Sequence, residues 1–247
     1  MDYSGTVDAL AIGAHPDDAE LGAGGTLLRL RSLGYATGIL DLTRGELATR
    51  GTPEERRAES LEAALVLELS CRETLDLGDG RLADTAEARA VLVDALRRLR
   101  PKILFTHHWD EPHPDHVATA RLVGAAAYLA GLARWDGASG LERHRPFAVA
   151  HFGLPRWAAP SFVVDVSDWA ERKAAAIRCH RSQLHDPERG EPDTAVSSAG
   201  FLDRLDARQR YFGALIQVRH GEAFVVKQAL GVDDPIRMLS RPMDVLY

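Results

Sequence analysis

Short apolar stretches alternate with longer segments of helical periodicity along most of this chain. The first apolar stretch, VDALAIGA at 7–14, precedes a helical pattern at 20–34 and a second apolar stretch at 35–43. Strands separated by helices of this length favour a parallel sheet with right-handed crossovers. We therefore predict a Rossmann-like, doubly wound α/β fold with a mostly parallel sheet. Its expected strand order is 3-2-1-4-5 plus edge strands, with helices on both faces.

Capping residues mark the start of two predicted helices. Thr52 precedes Pro53 and stands three residues before Glu55, which is the reciprocal capping pattern, and it predicts a helix over 52–67. Asp84 and Glu87 repeat the pattern ahead of a second helix. By periodicity, the remaining helices are expected near 114–133, 168–180 and 201–218, and the remaining strands at 73–78, 102–108, 145–153, the start of 161–180 and 222–228.

Length and composition fit one domain. A chain of 247 residues that is 45% hydrophobic can bury a sizeable core, and α/β chains of this size often fold as a single unit. We predict one domain over 1–247, with the charged, Pro- and Gly-containing segment 185–200 as a rim or lid loop. Cys71 and Cys179 are far apart and form no C-x-x-C, so neither a disulfide framework nor a thiolate metal site is predicted.

The charge balance excludes several classes of partner. The formal net charge is −6 and arginine is interleaved with acidic residues, so no basic face for nucleic acid or anionic lipid is expected. No apolar run approaches the roughly 20 residues that span a bilayer, and the first residues do not resemble a secretory signal. We expect a cytoplasmic protein with a small-molecule substrate.

Polar side chains cluster where the first and fourth predicted strands end. His15-Pro16-Asp17-Asp18 follows the first strand, and HHWDEPHPDH at 107–116 follows the fourth. These strands are neighbours in the predicted order, and ligands of such sheets bind at the carboxyl ends of the strands. The two clusters can therefore converge. Spacings of three residues allow paired side chains to point to one side, which gives four candidate metal ligands: His15, Asp18, His113 and His116.

A catalytic zinc ion takes three protein ligands and one water molecule, so one of the four candidates is left over. Two histidines and a carboxylate could also hold Fe²⁺. Asp17 can act as the base for a metal-bound water, and Asp115 can orient His113 by hydrogen bonding. Each motif also has a simpler interpretation when it is taken singly. The Asp pair could be a helix cap with an exposed charge, and the H-x-x-H could be a surface feature. The neighbouring histidines could be alternative ligands. Gly22, Gly24 and Gly25 do not form G-x-G-x-x-G, so no nicotinamide cofactor is predicted.

Several motifs together resemble one enzyme family. AHPDDAELGAGGT and HPDH resemble the PIG-L/LmbE-like zinc-dependent N-acetylglucosaminide deacetylases. LTRGELATRGTPEERRAE, DLGDGRL, HRSQ and RYFGALIQVRHGEAF are similar to the branch that deacetylates N-acetylglucosaminyl-malate in bacillithiol biosynthesis. The resemblance covers about residues 7–226. It implies hydrolysis of an N-acetyl group to acetate and a free amine, by a homo-oligomer that is a trimer or a hexamer.

The resemblance also assigns roles to residues. It implies a zinc site formed by His15, Asp18 and His116, with Asp17 as general base. His113 is then expected to polarise the amide carbonyl and protonate the departing amine, and Asp115 to keep His113 cationic. In the loop after the second strand, Arg50 matches an arginine at the sugar site of the family, which implies a substrate contact, and Arg44 and Glu46 in the same loop are further candidates for substrate binding. The tyrosine that some relatives place near the oxyanion has no counterpart, because no tyrosine occurs between Tyr128 and Tyr211.

Two alternatives to the malate glycoside stay open at this point. The first is a related amidase or a broader deacetylase acting on chito-oligosaccharide-like or thiol-conjugate substrates. The second is a non-catalytic metal-binding regulatory module, because an acidic pair after the first strand also occurs in Mg²⁺-binding signalling domains. Such domains are about half this length and have no use for HPDH.

Overall fold

The computed structural model describes residues 5–135, 140–188 and 190–236. Its strands are β1 (Ala9–Gly13), β2 (Thr37–Asp41), β3 (Cys71–Thr74), β4 (Ile103–His107), β5 (Ala148–Phe152), β6 (Phe162–Asp165) and β7 (Gly221–Val226). Its α-helices are α1 (Asp18–Ser32), α2 (Pro53–Val66), α3 (Ala86–Leu99), α4 (Pro114–Leu129), α5 (Ala170–Cys179) and α6 (Phe201–Ala214). No helix among these described residues is both long and apolar enough to cross a membrane.

The strands form one sheet in the order β3-β2-β1-β4-β5-β7-β6. The five strands from β3 to β5 are parallel, and β7 runs antiparallel to both β5 and β6. The predicted α/β fold and the order 3-2-1-4-5 are confirmed. The final strand does not extend the sheet at its edge, since it inserts between β5 and β6.

Alternate residues of the central strands pack into two separate apolar layers. In β1, Leu10 and Ile12 join the layer beneath α3 and α4, whereas Ala9 and Ala11 join the layer beneath α1, α2 and α5. This alternation follows from the two-residue period of a strand. A strand buried on both faces is a continuous apolar run, as the sequence of β1 shows. The sheet is therefore covered on both sides, and its carboxyl-end edge remains for a site.

The two predicted helix caps have different outcomes. At α2, the Thr52 side chain accepts the Glu55 N–H, and the Glu55 carboxylate accepts the Thr52 N–H, so the capping box is confirmed. At α3, the capping residue is Thr85, and the prediction of Asp84 was wrong by one residue. Asp84 instead forms a bidentate pair with Arg89, at 2.6 and 2.7 Å.

The glycines of α1 allow neighbouring elements to approach closely. A Cβ atom at Gly22 would lie 2.3 Å from the Phe152 ring, and one at Gly25 would lie 2.8 Å from Cβ of Val166. The backbone N–H of Gly25 also donates to the Glu222 carboxylate at 2.8 Å. These glycines serve packing beside the carboxyl-end edge, as the sequence indicates.

Replacing Gly25 with alanine is expected to lower the free energy of unfolding by about 1–2 kcal/mol. The added methyl overlaps Val166, and this overpacking exceeds the gain in helix propensity. Gly124 in α4 is the matched control, because a Cβ there meets nothing within 4 Å. Gly124→Ala should stabilise the protein by up to about 1 kcal/mol. Urea denaturation measures both changes, and a stabilising Gly25→Ala would refute the packing role.

Candidate metal centre and active site

The ends of β1 and β4 bring three predicted metal ligands together. Nδ1 of His15 lies 3.4 Å from Oδ2 of Asp18, and Nε2 of His116 lies 3.4 Å from Oδ1 of Asp18. One ligand atom from each of the three residues lies within 4.8 Å of the others. His15 and Asp18 flank the β1–α1 turn, and His116 lies in the first turn of α4. Two loops that are 98 residues apart in sequence therefore form one cluster.

Each of these two spacings, which end on different oxygens of Asp18, is close to the spacing of donor atoms around a tetrahedral ion. Metal–ligand bonds of about 2.0–2.1 Å in such a site place neighbouring donor atoms roughly 3.3 Å apart. Two imidazoles and a carboxylate suit Zn²⁺ and also Fe²⁺, so the donor set leaves the metal open between these two. Two further groups of three side chains of ligand type overlap with this cluster. The first is His15, His113 and Asp115, and the second is His107, Glu111 and His116.

Two carboxylates lie at the opposite nitrogen of His15. Its Nε2 is 3.1 Å from Oδ1 of Asp79 and 3.3 Å from Oδ2 of Asp115. A carboxylate on the far side of an imidazole fixes its tautomer and orientation for metal binding. Asp79 follows β3 within the DLGDGRL motif, and residue spacing alone does not single it out. Its position beyond the end of a neighbouring parallel strand is the signal that could have found it.

Asp17 is held in a strained and buried position between two of these ligands. Its φ of 118° is rare for a residue with a side chain, and its carboxylate makes no helix-capping hydrogen bond. Burial raises the pKa of Asp17 to about 6, with Arg56 opposing the rise and Asp18 adding to it. Nη2 of Arg56 lies 3.6 Å from Oδ1 of Asp17 and donates to the carbonyl of Pro16 at 2.6 Å. A proton acceptor at this position suits a general base.

His113 differs from its prediction. Its Nδ1 accepts the backbone N–H of Asp115 at 3.2 Å, which leaves the ring proton of a neutral imidazole on Nε2. Partial burial and the neighbouring His116 and His15 rings lower the pKa of His113. The Asp115 carboxylate contacts His15 and accepts the Gly80 N–H at 2.7 Å. The expected pair between this carboxylate and the His113 ring therefore does not form, because helix capping turns Nδ1 into an acceptor.

The three predicted substrate residues occupy different environments. Arg50 is buried, with Nη1 3.4 Å from Oδ1 of Asp193 and Nε 3.8 Å from Oε2 of Glu191 in the 185–200 loop. Its Nε and Nη2 have no hydrogen-bond partner among the described residues. Glu46 accepts the backbone N–H of Asp79 at 2.8 Å. Arg44 is exposed and pairs with Asp76 at 3.0 Å, which directs it to the surface.

Comparison with known proteins identifies the family. Residues 10–127 match the family model described as PIG-L: GlcNAc-PI de-N-acetylase. A diacetylchitobiose deacetylase of Thermococcus kodakarensis is 36% identical over 193 residues, which cover 71% of this chain and 69% of the relative. This chain belongs to the PIG-L family.

Two further known proteins are similar to this chain. The crystal structure of the conserved protein TT1542 from Thermus thermophilus superposes with a TM-score of 0.83 at 41% identity, covering 92% of this chain and 98% of that chain. A 4-oxalmesaconate hydratase of Pseudomonas putida is 26% identical over 193 residues, covering 72% of this chain and 74% of the relative. The proteins similar to this chain therefore include one named as a hydratase beside those named as deacetylases.

A cavity opens beside the metal centre of this PIG-L family member. Its volume is about 230 Å³, and Asp18 and His116 form part of its wall. The rest of the wall is largely apolar and comes from α1, the end of β5, α6 and β7, including Leu21, Phe152, Phe201, Leu205 and Phe212. The cavity gives a small organic substrate room next to the candidate ligands.

His151, next to this cluster in β5, is expected to make the PIG-L chain sensitive to acid. Burial lowers the pKa of His151 to about 4, and its Nδ1 is 2.7 Å from the carbonyl oxygen of His107. An unfolded histidine titrates near 6.5, so the unfolded chain binds more protons as the pH falls from about 6.5 to about 4. This residue should cost about 2 kcal/mol of stability between pH 7 and pH 5.

His151→Gln should remove that part of the pH dependence. Urea denaturation at pH 7 and pH 5 gives the free energy of unfolding of both proteins, and the acid-induced loss should be about 2 kcal/mol smaller in the variant. Equal losses in the two proteins would contradict the assignment to His151.

Proposed function

We propose that this chain is a metal-dependent deacetylase that hydrolyses the N-acetyl group of an N-acetylglucosaminide. The observation that carries the proposal is the convergence of His15, Asp18 and His116 at metal-ligand spacing, with Asp17 and His113 beside them. The family description and the name of the Thermococcus relative support an amide of N-acetylglucosamine as the substrate. Zn²⁺ is the proposed metal, with Fe²⁺ as the alternative.

The chain's own residues divide the reaction between them. The bound metal would act as a Lewis acid and lower the pKa of a water molecule. Asp17 is placed to accept a proton from the attacking water, whose oxygen adds to the acetyl carbon. His113 donates its Nε2–H to the carbonyl oxygen and so stabilises the developing negative charge. When the C–N bond breaks, the proton held by Asp17 is available to the departing amine, which leaves acetate and a free amine.

Within this reaction, N-acetylglucosaminyl-malate in bacillithiol biosynthesis is the proposed substrate. Arg50 supports it, because a buried guanidinium whose Nε and Nη2 make no hydrogen bond to the described residues suits a carboxylate of the malate group. Diacetylchitobiose is the second candidate. It is favoured by Asp193 and Glu191, whose carboxylates already lie beside Arg50 and would repel an anionic aglycone.

Metal removal tests the proposed function. Stripping the protein with a chelator is expected to lower the rate of acetate release by at least about 10³-fold, because a bound metal contributes several kcal/mol to the barrier. Zn²⁺, or Fe²⁺ under anaerobic conditions, should restore it. Acetate is measured with the malate glycoside and with diacetylchitobiose side by side. No release from the malate glycoside would exclude the first substrate, and no release from either would exclude the deacetylase and favour a non-catalytic module.

We also propose a homo-oligomer, either a trimer or a hexamer, in the cytoplasm. Exposed apolar side chains support self-association, since Leu65, Phe147 and Trp157 are between 70% and 80% exposed. Light scattering on the purified chain measures this mass directly.

A further inference from the structure

Glu111 contacts the metal-binding histidine of α4 from the side away from the metal. Oε2 of Glu111 lies 2.7 Å from Nδ1 of His116. The other ring nitrogen, Nε2, faces Oδ1 of Asp18 at 3.4 Å. The His116 ring therefore lies between a candidate co-ligand on one side and a carboxylate on the other. Glu111 stands in the WDEPHPDH segment and takes no part in the proposed reaction.

The second oxygen of Glu111 is enclosed and directed at another histidine. Oε1 is buried, has no hydrogen-bond partner among the described residues, and lies 3.6 Å from Nδ1 of His107. The backbone of Gly153 makes room for it, because a Cβ there would lie 1.9 Å from Oε1. Gly153 has a φ of +71°, which also favours glycine. A side chain enclosed in this way has little freedom to leave its partners.

The His107 ring supports His116 from a second direction. The two rings stack with centroids 3.8 Å apart. Nε2 of His107 lies 3.1 Å from both the backbone nitrogen of Ala14 and Oδ2 of Asp18, and its Nδ1 lies on the side of Glu111. The Glu111 carboxylate thus faces Nδ1 of two stacked imidazoles, one of which is a candidate ligand.

We propose that Glu111 is the positioning residue of His116: its carboxylate holds the proton on Nδ1 and so presents an unprotonated Nε2 to the metal. The inference rests on the metal site of the proposed function. An imidazole can bind a metal through either nitrogen, and a carboxylate on the opposite N–H selects the tautomer and fixes the ring plane. His15 has the same arrangement with its two ring nitrogens exchanged. Asp79 and Asp115 lie at its Nε2, and its Nδ1 faces Asp18. Both histidine ligands are then oriented by acidic side chains.

Co²⁺ binding tests this role without turnover. Wild type, Glu111→Gln and Glu111→Ala are stripped of metal, titrated with Co²⁺ against a competing chelator, and compared by their visible absorption spectra. Glu111→Ala should bind Co²⁺ about 10- to 100-fold more weakly, with altered absorption bands. Glu111→Gln keeps the shape and an acceptor oxygen, so its affinity should lie between the two. Asp110→Asn, which removes an exposed charge one residue away, is the matched control and should behave as wild type.

The outcomes separate the two proposals. If wild type binds no Co²⁺, the proposed function fails and the role of Glu111 fails with it. If wild type binds Co²⁺ but Glu111→Ala matches its affinity and spectrum, only the positioning role is overturned. A lower melting temperature of the metal-free variant would then show that Glu111 stabilises the fold. Binding of two Co²⁺ ions by wild type and one by Glu111→Ala would also overturn it, because Glu111 would then ligate a second ion. Should the alanine variant not fold, Glu111→Gln carries the same comparison.

Discussion

Replacing Asp17 with asparagine is expected to lower kcat for acetate release by about 10²- to 10⁴-fold, the contribution of a positioned general base. The amide of asparagine has the size of the carboxylate but cannot accept a proton from water. It should also tolerate the positive φ at this position, because Asn adopts such backbone angles more readily than most residues. Steady-state kinetics measures the change, and metal analysis of the same preparation should give the wild-type metal content.

The retained metal is the decisive part of this prediction. Asp18 is the assigned ligand and Asp17 is not, although the two are adjacent and both are buried. Asp203→Asn, at an exposed carboxylate in α6, is the control and should change neither kcat nor metal content. A variant at Asp17 that loses its metal would show that Asp17 acts as a ligand. One that keeps its metal and its kcat would show that another group takes the proton.

The central fold could be predicted because its determinants are local. The sequence shows the continuous apolar run of β1, which packs one face into each apolar layer, and it shows the capping box at Thr52. The handedness of the crossovers then restricts the strand order. The position of β7 could not be predicted in this way. Its pairs with Ala150 and His151 in β5 join residues about 75 positions apart, and its apolar pattern fits an edge or an interior strand equally well.

The convergence of the candidate ligands could be predicted for the same reason, since His15, Asp18 and His116 lie directly at the ends of predicted strands or in the first turn of the following helix. The residues around them could not. Asp79 and Glu111 lie in loops, and their contacts with the ligand histidines depend on where those loops run. Asp115 shows the limit most clearly: its sequence position beside His113 suggested a carboxylate–imidazole pair, whereas the helix start directs that carboxylate towards His15.

Beneath the metal centre lies a buried network of charges. The Arg72 side chain is 3% exposed and forms a bidentate pair with Asp41, at 2.8 and 3.1 Å. Arg72 also contacts the Glu20 carboxylate, which is fully buried and lies two residues after the candidate ligand Asp18 in α1. Glu20 in turn lies 2.9 Å from Nε2 of His180. One guanidinium therefore compensates two buried carboxylates.

Replacing Arg72 with methionine is expected to lower the free energy of unfolding by about 3–5 kcal/mol, since it leaves Glu20 and Asp41 buried without their cation. Urea denaturation at pH 7 measures the loss. Arg98→Met is the matched control, because Arg98 forms a bidentate pair of similar geometry with Glu73, but at the surface, where such pairs contribute about 0–1 kcal/mol.

The proposed cause of this loss is the unpaired carboxylates, so a triple variant provides its strictest test. Adding Glu20→Gln and Asp41→Asn to Arg72→Met removes the buried charges together and should recover part of the lost stability, because the desolvation cost of the anions disappears. If the triple variant were less stable than Arg72→Met, the attraction of Arg72 for the two anions would not be what the single variant loses. Lost packing of the arginine side chain would then explain the effect.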